Sequence, residues 1–349
     1  MSTERLLITG VTGYIGFQTL VLALENKHYV RAVVRSERNI SDLKSKITTI
    51  GEIDSQLEFA IVPDFLEKDA IFNVLDGISV ILHLASPLAV ETDNYENDII
   101  NPSVSMVTSV LDAAARVPTV RRVVLTSSCV TLIPFEWNMN PDSEKLYTVD
   151  EINTDVAGPF TGAMQAYWAS KALARAATRT FIAERRPQFN FINLLPGVVI
   201  GPDNRLTNDP TANTSALLKE TRAAVLAPVL TSSLNSSFPY VGIPVHVADV
   251  ARAHIDAIDS NRVPGNTEYI LSSDAPEGVV WNRDAAYVAQ NYFAGEVKSQ
   301  VLPMKGSLTT VKWSLDTKKT EEVFGWRFTG FEETLRQLLA QYLQLRQRE

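Results

Sequence analysis

Tyr167-Trp168-Ala169-Ser170-Lys171 sets a phenol and an ammonium four residues apart. The Ala-rich sequel, Ala172 to Ala177, predicts a helix, and on a helix that spacing stacks the two side chains on one face about a turn apart. A free phenol has a pKa of roughly 10 and releases its proton poorly at neutral pH, whereas a neighbouring ammonium favours the phenolate and makes proton exchange feasible. A surface Tyr/Lys pair at this spacing is also common on helices. What separates the two readings is the set of elements that surround the pair.

Arg5 to Thr9 reads as a short buried strand running into Gly10-Val11-Thr12-Gly13-Tyr14-Ile15-Gly16, which opens a helix through about Asn26. Strand, glycines three apart, then helix is the layout a pyrophosphate requires. Gly10 permits the tight turn, Gly13 lets backbone N–H groups approach phosphate, and Gly16 lets helix and strand pack closely. Thr9, Thr12, Tyr14 and Ile15 fill the same turn and join the expected coenzyme contacts. A second strand, Tyr29 to Arg35, ends in Val33-Val34-Arg35-Ser36-Glu37-Arg38, with Lys44 in the next helix. An NAD site places Asp or Glu there for the ribose hydroxyls, whereas a guanidinium beside a hydroxyl suits a 2′-phosphate, so NADP(H) is expected. The alternative is that Arg35 and Arg38 are solvated charges, since Glu37 lies between them.

The alternation continues. Leu57 to Val62 predicts a third strand ending in Pro63-Asp64-Phe65, where Asp64 either bonds an adenine amine or caps a helix. Ser79 to Leu84 predicts a fourth, with Leu84, Ala85 and Ser86 at the carboxyl end, where an open parallel sheet binds its ligand. His83 inside that strand reads as a packed core histidine. A long helix from about Asn94 to Val117 follows, then a fifth strand from Arg121 that ends in Thr126-Ser127-Ser128. Ser128, released at the strand end beside the tyrosine, is the candidate donor to a substrate oxygen; a Ser-rich turn is the plain alternative. Cys129 has no His-bearing motif with it and is not read as a nucleophile.

Asn190 to Leu195 predicts another buried strand. Pro244 to Ala251 predicts a helix start in which Asp249 caps or anchors and His246 is structural. Leu335, Leu338, Leu339, Tyr342 and Leu343 form a core-packing stripe on the last helix. Two irregular stretches, 131–165 and 204–240, are expected to form a pocket lined by Ile133, Phe135, Met164 and Val198. Their apolar character points to a hydrophobic or aromatic substrate.

The chain has 349 residues, 45% hydrophobic and 21% charged, with a formal charge of −8 and a pI near 5.2. That length fits an α/β protein of Rossmann type, with a doubly wound parallel sheet and a smaller C-terminal substrate lobe. The expected division is 1–196 with about 241–260 for the dinucleotide, and 197–240 with 261–349 for the substrate. The acidic balance argues against a nucleic-acid or anionic-membrane partner. The single Cys129 forbids an internal disulfide. Met1 to Arg5 leads almost directly into a strand, and no apolar run approaches the ~18 residues of a membrane span, so a cytoplasmic location is expected. No cluster of metal ligands is apparent.

Together these motifs make the chain resemble the extended short-chain dehydrogenase/reductases, in the branch of dihydroflavonol reductases, cinnamoyl-CoA reductases and fungal aldehyde/ketone reductases. The likeness runs through the Thr9–Gly16 turn, Val30 to Arg35, His83-Leu84-Ala85-Ser86-Pro87, Thr126-Ser127-Ser128, Tyr167-x-x-x-Lys171, Leu195-Pro196-Gly197-x-Val199-x-Gly201-Pro202 and His246-Val247-x-Asp249-Val250-Ala251. The resemblance implies that Ser128 and Tyr167 bind a carbonyl oxygen, that Lys171 holds the nicotinamide ribose, and that Pro196, Gly197, Val198 and Val199 flank the nicotinamide. It places Arg35 and Lys44 at the 2′-phosphate. It departs at Asn101-Pro102-Ser103-Val104-Ser105-Met106-Val107, where the family has a Gly-Thr pair, and in the loop after Ser128.

An NADPH-dependent reductase of aldehydes or ketones is the function expected, as a monomer or homodimer. The alternatives are a nucleotide-sugar epimerase or dehydratase, against which Arg35 argues, and a non-catalytic NADP sensor, against which the intact Tyr-x-x-x-Lys pair argues.

Overall fold

The computed structural model describes residues 4–47, 55–138, 144–207 and 209–349. Met1 to Thr3 and Pro141 therefore lie outside the described residues. The chain divides into two compact units. One comprises Met1–Phe135, Val149–Leu195 and Ala251–Tyr269; the other comprises Glu136–Thr148, Pro196–Val250 and Ile270–Glu349.

Leu6, Leu7 and Ile8 are fully buried, so the first strand is apolar on both faces, the mark of a parallel sheet covered on both sides. The sheet has seven strands: β1 (Arg5–Thr9), β2 (Tyr29–Val34), β3 (Leu57–Ile61), β4 (Val80–His83), β5 (Arg122–Thr126), β6 (Asn190–Pro196) and β7 (Thr267–Leu271). Their order is β7-β6-β5-β4-β1-β2-β3. Pairings from β3 across to β6 are parallel, with Ile8 opposite both Ala32 and Leu82 and Thr126 opposite Leu194. The order reverses at β1, and the ends of β1, β4 and β5 share the carboxyl edge, where ligands of such sheets sit.

Helices connect the strands: α1 (Tyr14–Glu25), α2 (Glu37–Ile47), α3 (Asn101–Ala115), α4 (Ala163–Arg185) and α5 (Val247–Asp256). The helix expected from Asn94 is not uniform. Glu96–Ile100 is a π-helical turn that passes into α3, with Pro102 in the first α-helical turn. Proline has no N–H to return to the preceding turn, and the widened register sits where that bond would fall. The helix expected to begin at Pro244 begins instead at Val247. Pro244–His246 is a strand parallel to Val198–Ile200, and His246 Nδ1 accepts from Ala248 N at 2.9 Å, capping α5 in the role foreseen for Asp249. Asp249 is an anchor: its carboxylate accepts from Thr329 N at 2.6 Å.

The second unit has its own core, in which Trp281 meets Phe331 edge-on at 5.4 Å. The last helix, Phe331–Arg346, buries Leu335, Leu338, Leu339 and Tyr342, the expected stripe; Leu343 packs at its margin and Leu345 adds to it. In the irregular stretches, Phe135–Asn138 is a short helix, Leu146–Tyr147 pairs with Ser314–Leu315, and Glu220–Leu226 is helical. Among the described residues no helix is long and apolar enough to cross a membrane, and no group of His, Cys, Asp and Glu is arranged for a metal.

Candidate active site

The glycine turn is forced by backbone crowding. Gly10 has φ +74°, and a Cβ there would lie 2.8 Å from Ala85 N; a Cβ on Gly16 would lie 2.0 Å from Gly10 O. Gly13 N donates to Gly10 O at 2.9 Å and Gly13 is the N-cap of α1, which has no side-chain cap and no acidic residue in its first turn. The N–H groups at Tyr14 and Ile15 thus belong to a helix start that no carboxylate of its own neutralises. A pyrophosphate fits this cradle. Thr9 is buried and its hydroxyl accepts from Leu84 N and Ala85 N, both at 3.1 Å, which ties the end of β4 to the turn.

At the end of β2, Arg35 is exposed, as are Arg38 and Lys44. Lys44 Nζ stands 5.9 Å from the Phe59 ring centroid. Among the described residues no carboxylate pairs with these exposed cations, an arrangement that suits a 2′-phosphate. Asp64 is exposed and its Oδ1 accepts from Leu66 N at 2.8 Å, so it closes a local turn, while Phe65 is buried with its ring 6.2 Å from that of His83.

The Tyr167 helix is α4, from Ala163 to Arg185, and Glu91 of the segment after β4 accepts from Ala163 N at its start. Tyr167 is half-buried and Lys171 is 8% exposed. The Lys171 Nζ lies 5.6 Å from the Tyr167 ring centroid and donates to Ser86 Oγ at 2.9 Å. Burial lowers the Lys171 pKa to about 8. Ser128 follows β5 and caps the 3₁₀ turn Cys129–Thr131. Its Oγ accepts from Val130 N at 3.3 Å, which leaves the hydroxyl hydrogen for an outside acceptor. Thr126 bonds His254 at 2.7 Å, and Ser127 N donates to Leu194 O. Cys129 is buried, its thiol donates to Leu195 O at 3.0 Å, and burial pushes its pKa far up, so it is no nucleophile.

Of the expected pocket residues, Met164 and Phe135 are half-buried, with Phe135 edge-on to Trp168 at 5.4 Å. Ile133 departs from expectation. It is fully buried and its carbonyl accepts from Trp168 Nε1, so it packs behind α4 instead of presenting a surface to ligand. Pro196 to Val199 belong to the second unit. There Gly197 N donates to Leu271 O and Val198 N to Ile243 O, and a Cβ on Gly197 would lie 2.2 Å from Ile243 O.

One cluster was missed from sequence. Arg175 Nε and Nη2 grip Glu268 at 3.1 and 2.6 Å, Arg179 pairs with the same carboxylate, and Asn193 Nδ2 donates to it at 2.8 Å. Arg175 also donates to the carbonyls of Thr131, Glu151 and Val149, so its donors are spent. Burial alone would raise the Glu268 pKa, but the donors from Arg175, Arg179 and Asn193 outweigh it and hold the carboxyl below its usual range. The signal was present in part: Tyr167, Lys171, Arg175 and Arg179 recur every four residues on one helical face. Nothing marked Glu268, on the remote β7, as their counter-charge.

A reversing parallel sheet, a glycine turn at its first strand and a Tyr/Lys pair over its carboxyl edge define a Rossmann-type α/β protein. The chain belongs to the NAD dependent epimerase/dehydratase family, which it matches over residues 6–271. It is 30% identical over 364 residues to ketoreductase CTB6 of Cercospora nicotianae, covering 100% of this chain and 98% of that one. It is 28% identical over 354 residues to ketoreductase sphI of Aspergillus fumigatus, covering 99% of each. The structure of yeast methylglyoxal/isovaleraldehyde reductase Gre2 complexed with NADPH superposes with a TM-score of 0.79 at 22% identity, covering 99% of this chain and 100% of that one. These relatives lie in the extended short-chain dehydrogenase/reductase branch that the motifs resemble.

Proposed function

We propose that the protein is an NADPH-dependent reductase that converts an aldehyde or ketone, hydrophobic or aromatic, to the alcohol. The observation that carries this reading is Lys171: a buried ammonium beside the Tyr167 ring, held by Ser86 at the carboxyl edge of the sheet. The ketoreductase names of full-length relatives and the NADPH-bound Gre2 neighbour support it.

The coenzyme, when bound, supplies the hydride that reaches the carbonyl carbon. Gly10, Gly13 and the start of α1 hold its pyrophosphate, with Thr9, Thr12, Tyr14, Ile15 and Gly16 shaping that turn, and Arg35 with Lys44 binds the 2′-phosphate. Asp64 and Phe65 border the adenine; Leu84, Ala85, Ser86, Thr126 and Ser127 line the strand ends under the dinucleotide. Lys171 holds the ribose hydroxyls and favours the Tyr167 phenolate. Tyr167 gives its proton to the carbonyl oxygen as the hydride arrives at carbon, and Ser128 donates its unused hydroxyl hydrogen to the same oxygen; each positioned group contributes on the order of 10²-fold or more. Phe135 and Met164 supply apolar contact.

Tyr167→Phe tests the reading. Turnover of a carbonyl panel, followed by loss of NADPH absorbance, should fall at least ~10²-fold while NADPH binding, read by fluorescence, persists. Retained turnover refutes the mechanism. Purified protein that carries stoichiometric NAD and recycles it would instead assign the chain to epimerase or dehydratase chemistry.

A further inference from the structure

Two deeply buried polar atoms near Lys171, His83 Nε2 and Ser103 Oγ, lack a hydrogen-bond partner among the described residues, and both residues are 3% exposed. An orphaned buried polar group is costly, so each calls for a partner. The protonation of His83 follows from its neighbour. Thr9 Oγ1 accepts from two backbone N–H groups, Leu84 and Ala85, which occupies both of its lone pairs. Its single hydrogen must therefore go to His83 Nδ1, 2.9 Å away. That makes Nδ1 the acceptor and puts the ring proton on Nε2, a donor with nothing to receive it. Burial, and secondarily the Lys171 charge, lowers the His83 pKa to about 3, so the ring stays neutral.

His83, Ser103 and Lys171 line one cavity of about 20 Å³. A single water needs roughly 10–15 Å³ measured this way and at least two polar partners. Of the other polar side chains on the wall, Ser86 accepts from Lys171, Thr126 pairs with His254, Thr178 donates to Ala174 O, Asn193 to Glu268 and Arg175 to its full set of acceptors, while the half-buried Ser127 offers the cavity one further hydroxyl. The Lys171 ammonium has three N–H groups and gives one to Ser86.

We propose that this cavity is a built site for one ordered water, which accepts from His83 Nε2–H and bridges it to Ser103 Oγ and the Lys171 ammonium, making His83 and Ser103 positioning residues for that ammonium. The water stands in for the solvent that burial removes, and so favours the charged lysine. The ionisable groups that face the ammonium are Tyr167 and Arg175 on its own helix and His83 on β4. Arg175 is neutralised by Glu268 of β7, while α3 and β5 present to the cavity Ser103, Val107, Leu125, Thr126 and Ser127, none of which titrates. The water itself stands on this geometry alone; its consequence for turnover rests on the reductase reading.

The test uses Ser103→Val, which fills the seat, and Ser103→Ala, which removes the hydroxyl without adding bulk. High-resolution crystal structures should show a water within hydrogen-bond reach of His83 Nε2 and Ser103 Oγ in the parent and none in Ser103→Val. Lys171 protonation is read without turnover, from the pH dependence of the stability difference between each protein and the same protein carrying Lys171→Met. Its midpoint should fall by about one pH unit in Ser103→Val and Ser103→Ala, the worth of one hydrogen bond to a charge. The alkaline limb of kcat/KM should move in parallel. An empty cavity in the parent, or an unmoved midpoint in folded Ser103→Ala, overturns the proposal. A midpoint that moves in a protein without carbonyl turnover upholds the water and sinks the reductase reading.

Discussion

Lys171→Met should make the ligand-free protein more stable at pH 7 while removing its activity. The side chain is 8% exposed, and burial lowers its pKa from 10.5 to about 8. A depressed lysine pKa means that the folded state holds the proton less tightly than the unfolded one. Below pH 8 both states are charged and the fold bears the whole cost of the buried ammonium; as pH rises from 8 to 10.5 the folded lysine has already lost its proton, and the cost disappears. From the two pKa values that cost is about 3 kcal/mol at pH 7 and about 1 kcal/mol at pH 10. Methionine preserves most of the volume and carries no charge, so the advantage of the variant should shrink by about 2 to 3 kcal/mol between those pH values. Packing changes that do not depend on charge are the same at both pH values and cancel in that difference, whereas the greater strength of the ammonium's bond to Ser86 Oγ is already contained in the folded pKa. The assay is urea unfolding of parent and variant at several pH values, each carrying Tyr167→Phe so that the neighbouring phenol does not contribute. A pH-independent difference, or a variant that loses stability more at pH 7 than at pH 10, would refute the claim that Lys171 is held as a desolvated cation.

Other perturbations have equally direct readouts. Gly10→Ala forces a residue with φ +74° against Ala85 N and should cost about 2 kcal/mol or more in thermal or urea unfolding, with a matching loss of dinucleotide affinity by titration. Arg35→Glu replaces the proposed phosphate partner with a repelling carboxylate and should lower the NADPH-over-NADH preference in kcat/KM by roughly 10- to 100-fold. Glu268→Gln leaves the buried Arg175 without its counter-charge and should destabilise by about 3 kcal/mol or more; the parent should also lose stability as pH falls through the carboxylate range, because a depressed acid pKa stabilises only above it.

Much of the first unit was legible because its signals are local. Leu6-Leu7-Ile8 had to be a two-sided buried strand, and Gly10 and Gly16 occur where any Cβ would strike backbone, so sequence and geometry demand the same residue. The Tyr167/Lys171 pair was legible because helical periodicity alone brings them together. The boundaries that failed were those set by partners distant in the chain. Pro244–His246 became a strand because Val198–Ile200 lies beside it, and Ile133 went into the core because Trp168 claims its carbonyl.

The buried network under α4 shows the same limit in its sharpest form. A helix with Lys171, Arg175 and Arg179 at four-residue intervals reads as a solvated basic face unless an acceptor is known to face it. The acceptors, Glu268 on β7 and Asn193 on β6, are contributed by strands that only the sheet order makes neighbours. Two of these cations have different fates on that one face. Arg175 meets a carboxylate and every donor is spent, so it fixes the helix; Lys171 meets a hydroxyl at the strand edge and remains under-solvated. That contrast is why the proposed reading makes Lys171 the chemical group of the site: the saturated guanidinium holds α4 in place, and the ammonium one turn earlier keeps hydrogen-bonding capacity for whatever lies at the carboxyl edge of the sheet.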